Sequence, residues 1–278
     1  MKKYITLLVV FFLLALSINA QKLKAEEIIA KHLDSIAPAE KRSTIKSLIA
    51  VGEVRVDYIT QKNQPASGRI VIASEGPKLF FGMQLNASDY PQEKIIFDGN
   101  KTDVASVRAG NRSVLGNFIQ SNSGIVSQGL MSGGLSTSWA LLDAAARGAK
   151  ISVSGNKKID GKDVYALSFN PKGSSDVDIT LYFDAQTFQH VRTEYKRTAS
   201  AAMGRTPEES SRLQETRIKL TEDFSDYKNY EGVNVPTKYK ILYSSSGQDG
   251  TTEVSWTANL SEFAPNQRLD PGTFTIGK

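Results

Sequence analysis

Two histidines, His32 and His190, are the only imidazoles in this chain of 278 residues, and cysteine is absent. Such a set cannot build a thiolate nucleophile, a disulfide framework or a thiolate metal site. A metal centre would have to rest on carboxylates. A Ser-His-Asp arrangement would have two places to find its base. His32 follows Lys31 in helix-forming sequence and reads as a surface histidine. His190 follows the turn Asp184-Ala185-Gln186-Thr187 on strand-forming sequence and reads as structural. Ser43-Thr44-Ile45-Lys46 has the spacing at which a lysine can activate a serine, but no lysine-threonine-glycine partner follows it. Asp98 and Asp160 could in principle pair as acid and base. Each precedes a glycine, and turn formation accounts for both. Walker A, GxSxG, HExxH and GxGxxG patterns are missing. No catalytic residue, metal or cofactor is expected, and a secreted hydrolase using His190 is a remote reading.

The remaining chemistry is apolar. Phe81, Met83, Phe97, Leu130, Met131, Trp139, Leu142, Leu181, Phe183, Tyr239 and Trp256 combine bulk with a shared facing, and are the candidates to line a lipid-sized cavity. Methionine and phenylalanine adapt to flexible acyl chains. A plain hydrophobic core would use the same residues, and periodicity alone favours that core.

The elements that must position these residues are mostly strands. Residues 24–37 predict a helix, with Ile28, Ile29, Leu33 and Ile36 on one face and Pro38 as its stop. From residue 48 the period changes to two: Val54, Val56 and Tyr58 share a face, as do Leu79, Phe81, Met83 and Leu85. Turns are expected at Glu75-Gly76-Pro77, Asp98-Gly99-Asn100, Asp160-Gly161, Pro171-Lys172-Gly173, Asp184–Thr187 and Tyr230-Glu231-Gly232. Residues 111–147 break the alternation. They are rich in glycine, serine and large apolar side chains, and predict two or three short helices ending in Ala140–Arg147. So apolar a stretch is no solvated loop; it must cover or insert into something. Residues 198–213 read as an exposed polar loop.

Eleven or twelve antiparallel strands in one domain follow. Short turns preclude parallel crossovers. A sheet of that size must curl, into a closed barrel or a half-open one capped by helices.

Residues 1–20 read as a signal peptide. Lys2 and Lys3 precede an apolar run from Ile5 to Leu16, and Ala20 suits cleavage before Gln21. The run is shorter than the roughly 20 residues of a spanning helix. Residues 21–278 then form the single mature domain. The net charge is +5, with two of those charges on Lys2 and Lys3, which leaves a mild +3. No concentrated basic stripe points to nucleic acid. The balance is compatible with transient contact with an anionic membrane surface.

The order of features resembles the LolA/LolB superfamily of periplasmic lipoprotein carriers, especially its outer-membrane lipoprotein-sorting-like branch. The matching pieces begin with the helix Ala25–Ala37 ahead of Ile45-Lys46-Ser47-Leu48, then Phe97-Asp98-Gly99. Asp160-Gly161-Lys162-Asp163-Val164-Tyr165-Ala166-Leu167 and Leu181-Tyr182-Phe183-Asp184-Ala185-Gln186-Thr187 follow. Phe224-Ser225-Asp226-Tyr227, Gly232-Val233-Asn234-Val235-Pro236, Asn266 and Leu269-Asp270-Pro271-Gly272-Thr273-Phe274 complete the series. The resemblance implies a mainly β fold with some α: a curved antiparallel half-barrel of about 11 strands closed by helices. It also implies an apolar cavity for acyl chains. The expectation is therefore a monomeric periplasmic protein that binds or transports a lipid or lipoprotein acyl chain without catalysis; residues 111–147, longer than the dedicated carriers require, are expected to act as its lid. Relatives of this fold include regulators that bind protein or lipid signals, so a regulatory or scaffolding module that binds another envelope protein is the alternative.

Overall fold

The computed structural model describes residues 23–173, 175–200, 215–248 and 250–275. The signal-peptide reading of residues 1–20 and most of the 198–213 loop lie outside the described residues. Twelve strands form one curved, unclosed antiparallel sheet. In chain order they are β1 (Ser47–Tyr58), β2 (Ala66–Glu75), β3 (Lys78–Leu85), β4 (Gln92–Phe97), β5 (Thr102–Val104), β6 (Lys150–Ile159), β7 (Lys162–Asn170), β8 (Val177–Asp184), β9 (His190–Ala199), β10 (Thr216–Tyr230), β11 (Val233–Gly247) and β12 (Gly250–Pro265). Their order across the sheet is β5-β4-β3-β2-β1-β12-β11-β10-β9-β8-β7-β6. The count of twelve lies within the expected eleven or twelve, with the three residues after the Asp98 turn pairing as the short β5.

This order carries the architecture. β1 and β12 pair in the middle, so each half of the sheet meanders outward to its own edge. At the centre, Gly52 sits at a register shift against β12. A Cβ there would fall 2.1 Å from the Asn259 carbonyl oxygen, so only glycine allows the two halves to join that closely. Nearby, Asn266 Oδ1 accepts from the Lys46 amide at 2.7 Å. Two pieces of the family resemblance, far apart in sequence, thus meet at the seam.

Of the two expected closures the half-open one forms: among the described residues the edges β5 and β6 are unpaired on their outer sides. β5 is only three residues long, and β6 carries Lys150, Lys157 and Lys158 with a register shift at Gly155. Short strands, lysines and bulges are the usual protections of open edges.

The turns fall where the sequence places them. Asp98 Oδ1 accepts from the amides of Asn100 and Lys101, each at 2.7 Å, and these bonds hold its carboxyl below the usual range. Asp160 and Gly161 both adopt positive φ, as do Glu231 and Gly232, the geometry of tight hairpins between right-twisted strands.

Among the described residues, two helices precede β1. α1 (Ala25–Ile36) ends before Pro38, which then leads into a short α2 (Ala39–Thr44) that periodicity does not reveal. Ser43 and Lys46 of the SxxK pattern are exposed, and Lys46 Nζ donates to the Ser43 carbonyl at 2.7 Å. Pro271–Phe274 forms a final 3-10 turn that buries Phe274.

Because β5 and β6 lie at opposite edges, the chain between them, residues 105–149, must cross the sheet. It carries α3 (Val114–Ser121), α4 (Gly124–Ser127) and 3-10 turns at Gly133–Leu135 and Ala140–Leu142. The expected helix over Ala140–Arg147 is absent. The Ala140 amide instead donates to the Gly129 carbonyl at 2.9 Å, folding the segment back on itself. Gly129 permits this with φ 71, and a Cβ there would strike the Ser138 carbonyl.

Candidate functional site

One face of the sheet buries Val54 and Val56 of β1, Ile70 and Ile72 of β2, and Leu79, Phe81, Met83 and Leu85 of β3. The same continuous cluster includes Leu181 and Phe183 of β8, Tyr239 of β11 and Trp256 of β12. Against this face lie the crossover residues Leu115, Phe118, Ile119, Ile125, Val126, Leu130, Met131, Leu135 and Trp139. Ten of the eleven sequence-derived candidates therefore meet in one core: Phe81, Met83, Phe97, Leu130, Met131, Trp139, Leu181, Phe183, Tyr239 and Trp256. Leu142 does not join them. The 3-10 turn that carries it turns it outward, 43% exposed, onto the rim of an apolar cavity of about 70 Å³ with Ile36, Leu48 and Val233. The crossover fills the curve of the sheet with its own side chains.

How it is held is the functional question. From Ser113 to Ala149, among the described residues, its backbone–backbone bonds close within the segment. Its links to the rest of the molecule run through side chains. Three of them use groups buried in apolar surroundings.

The first is Glu93 on β4. Ser113, the N-cap of α3, donates its hydroxyl to Glu93 Oε2, and Tyr90 donates to the same oxygen at 2.5 Å. Trp256 Nε1 in turn donates to the Tyr90 hydroxyl at 3.0 Å. Glu93 Oε1 has no partner among the described residues. Burial pushes the Glu93 carboxyl up, against the hydroxyls that donate to it.

The second is Glu222 on β10. Its Oε1 accepts from the Ser132 amide at 2.8 Å and from the Tyr239 hydroxyl; its Oε2 accepts from Tyr195 at 2.7 Å. Burial again raises the carboxyl, and burial beside Glu222 raises both tyrosines. Ser132 holds a left-handed conformation, φ 68, to present its amide.

The third is the histidine pair. His32 is 1% exposed, so the surface reading of it is wrong. It shares a helical stripe with Ala25 and Ile28, the deepest of α1. Trp139 Nε1 donates to His32 Nε2 at 3.0 Å, and His32 Nδ1 lies 3.0 Å from the Phe188 carbonyl. The indole needs a lone pair on Nε2, so the imidazole is neutral with its proton on Nδ1. Burial lowers its pKa to about 4. Trp139 also stacks on His190, centroids 4.9 Å apart. His190 is buried with Nε2 3.0 Å from the Arg192 carbonyl, and burial holds it well below the usual histidine range. Its Nδ1 faces Gly133, where a Cβ would lie 2.9 Å away.

Sequence reading missed Glu93 and Glu222. The signal was present: Glu93 has the parity of Ile95 and Phe97, and Glu222 that of Leu220 and Phe224. A carboxylate on the apolar face of a strand is a buried one. Among the described residues, no three His, Asp or Glu side chains gather as metal ligands, and no helix is long and apolar enough to cross a membrane.

No family model matches the sequence, and no curated protein does. The chain is similar in fold to solved structures. One is the LolA superfamily protein NE2245 from Nitrosomonas europaea, with 14% identity, a TM-score of 0.48, and coverage of 91% of this chain and 98% of that one. Another is a DUF1329 family protein from Desulfovibrio piger, with 10% identity, a TM-score of 0.47, and 90% and 96% coverage. A third is a putative outer membrane lipoprotein-sorting protein domain from Vibrio parahaemolyticus, with 12% identity, a TM-score of 0.45, and 88% and 97% coverage.

Proposed function

We propose that this chain is a non-enzymatic periplasmic carrier, and that an acyl chain of a lipid or lipoprotein occupies the concave face of its half-barrel when the crossover moves aside. The observation that carries this reading is the crossover itself. It covers an apolar sheet face, closes its backbone–backbone bonds within itself, and is joined to the sheet by a few bonds that use side chains. A segment built in this way can leave the sheet without breaking a β-ladder, and an acyl chain can replace its side chains. Each buried methylene would contribute roughly 0.8 kcal/mol against the loss of the crossover's contacts. The periplasmic location rests on the sequence of residues 1–20. Absence of catalysis fits the two histidines, both buried and held neutral.

Native mass spectrometry of the mature protein purified from its own envelope, followed by organic extraction, tests the reading. A near-stoichiometric phospholipid or acylated peptide is expected. A clean apo mass would count against a carrier and move the weight to a module that binds another envelope protein.

A further inference from the structure

The two ends of the half-barrel differ in charge. The end beside Leu48 is the apolar cavity of about 70 Å³, and its arginine, Arg42, is committed: it donates to the Leu33 carbonyl at 2.6 Å, to the Ala37 carbonyl and to Asp34 at 3.1 Å. Tyr58 ends the same strand, about 33 Å away at ~3.3 Å per residue. There a cavity of about 290 Å³ opens, with Tyr58, Tyr90 and Trp256 as an aromatic floor and Arg108 and Arg112 on the rim. Arg112 Nε donates to the Val104 carbonyl at 3.0 Å, which aims the guanidinium. Among the described residues Arg112 has no carboxylate partner. α3 begins at Val114, on the same cavity, so its positive end adds to the arginines. Arg108 is held by the Ser88 carbonyl, 2.8 Å from Nη2 and 3.2 Å from Nε, and by the exposed Asp89, which leaves Arg112 as the uncommitted cation. The other acid nearby, Glu93, is fully buried behind Tyr90 and Ser113.

From this geometry we propose that the Tyr58 end is a phosphate-headgroup site: Arg112 binds the phosphodiester of an amphiphile whose acyl chains run beneath the crossover, and Arg108, held beside it by Ser88 and Asp89, adds positive charge. The planar guanidinium fork pairs with phosphate oxygens through two parallel bonds. The aromatic floor receives the glycerol and the first methylenes, and the apolar far end receives no charge. The site gives the carried lipid a polarity and a chemical class, an anionic phospholipid. This inference rests on the carrier reading above.

Calorimetric titration with three soluble probes tests it: dihexanoylphosphatidylglycerol, dihexanoylglycerol and inorganic phosphate. The two lipids share their acyl chains and differ in the phosphoglycerol headgroup. The phosphatidylglycerol is expected to bind about tenfold tighter than the diacylglycerol, the scale of one charge-assisted bond. Arg112→Gln is expected to bring that ratio close to one, and Arg108→Gln to lower it. Lys240→Gln, a cation of β11 on the opposite face of the sheet, serves as the control for general charge. Thermal melts confirm that each variant is folded. Equal affinity for the two lipids would overturn the headgroup site and leave the carrier standing, as would an Arg112→Gln protein that keeps the ratio. Inorganic phosphate binding as tightly as the phosphatidylglycerol would overturn it in favour of a free phosphate. Failure of both lipids to bind would remove the carrier reading and this site together.

Discussion

Glu93 and Glu222 do the same task in the two halves of the sheet and do it unequally. Both are buried carboxylates without a cation, and both hold the crossover. Glu222 has both oxygens occupied, by a backbone amide and two tyrosines. Glu93 concentrates its donors on one oxygen and leaves the other bare. The crossover is thus fixed firmly at its centre, where Trp139 and His32 add a further bond, and loosely at its start. An opening that begins at α3 costs the Ser113 bond and leaves the centre in place. That is also the end where the aromatic floor and the free arginine lie.

The contrast can be broken at either carboxylate. Glu222→Ala strands three buried donors, and about 4 kcal/mol of stability is expected to go, read by urea denaturation. The next largest effect is in pH. His32 has a pKa of about 4 when folded against 6.5 as its ordinary value. The unfolded state takes the extra proton between them, so the contribution is complete above pH 6.5 and is lost as the pH falls toward 4. It amounts to ~3 kcal/mol in all, at most about 1.4 per pH unit. Urea midpoints measured across that window should fall less steeply in His32→Gln than in the wild type. Glu93 and Glu222, raised rather than lowered, contribute with the opposite sign in both proteins and leave the difference intact. Trp139→Phe removes one donor and leaves His32 Nε2 bare, for about 2 kcal/mol by the same denaturation. Glu93→Gln should change stability least, within about 1 kcal/mol, because its amide still accepts from Tyr90 and no longer buries a charge. A large loss in Glu93→Gln would show that the two pins are equal.

Strand faces and turns were legible in the sequence because each is a local property. Alternation placed Leu79, Phe81, Met83 and Leu85 inward, and Asp98 and Asp160 marked hairpins. The apolar content of 111–147 showed that the segment covers something. What it covers follows from pairing β1 with β12, a long-range contact that no local pattern contains. His32 was misread because its neighbour Lys31 is exposed, whereas its partner lies 107 positions away at Trp139. Leu142 was misread because its outward turn depends on Gly129 receiving the Ala140 amide. Polar residues buried by tertiary contacts escape a reading that looks for apolar ones, even when, as with Glu222, their parity gives them away.

Whether the crossover is a lid that opens at α3 can be measured directly by locking it. A Cβ on Gly116 would lie 3.1 Å from Val104 Cγ1 and 3.0 Å from Glu93 Oε1, so once the Glu93 side chain gives way by a few tenths of an ångström, Val104→Cys with Gly116→Cys can join α3 to the sheet edge by a disulfide, in a chain with no other cysteine. The oxidised variant is expected to take up no dihexanoylphosphatidylglycerol, and the same sample after reduction to take it up as the wild type does. Equal uptake in the oxidised and reduced forms would contradict a lid hinged open at that end.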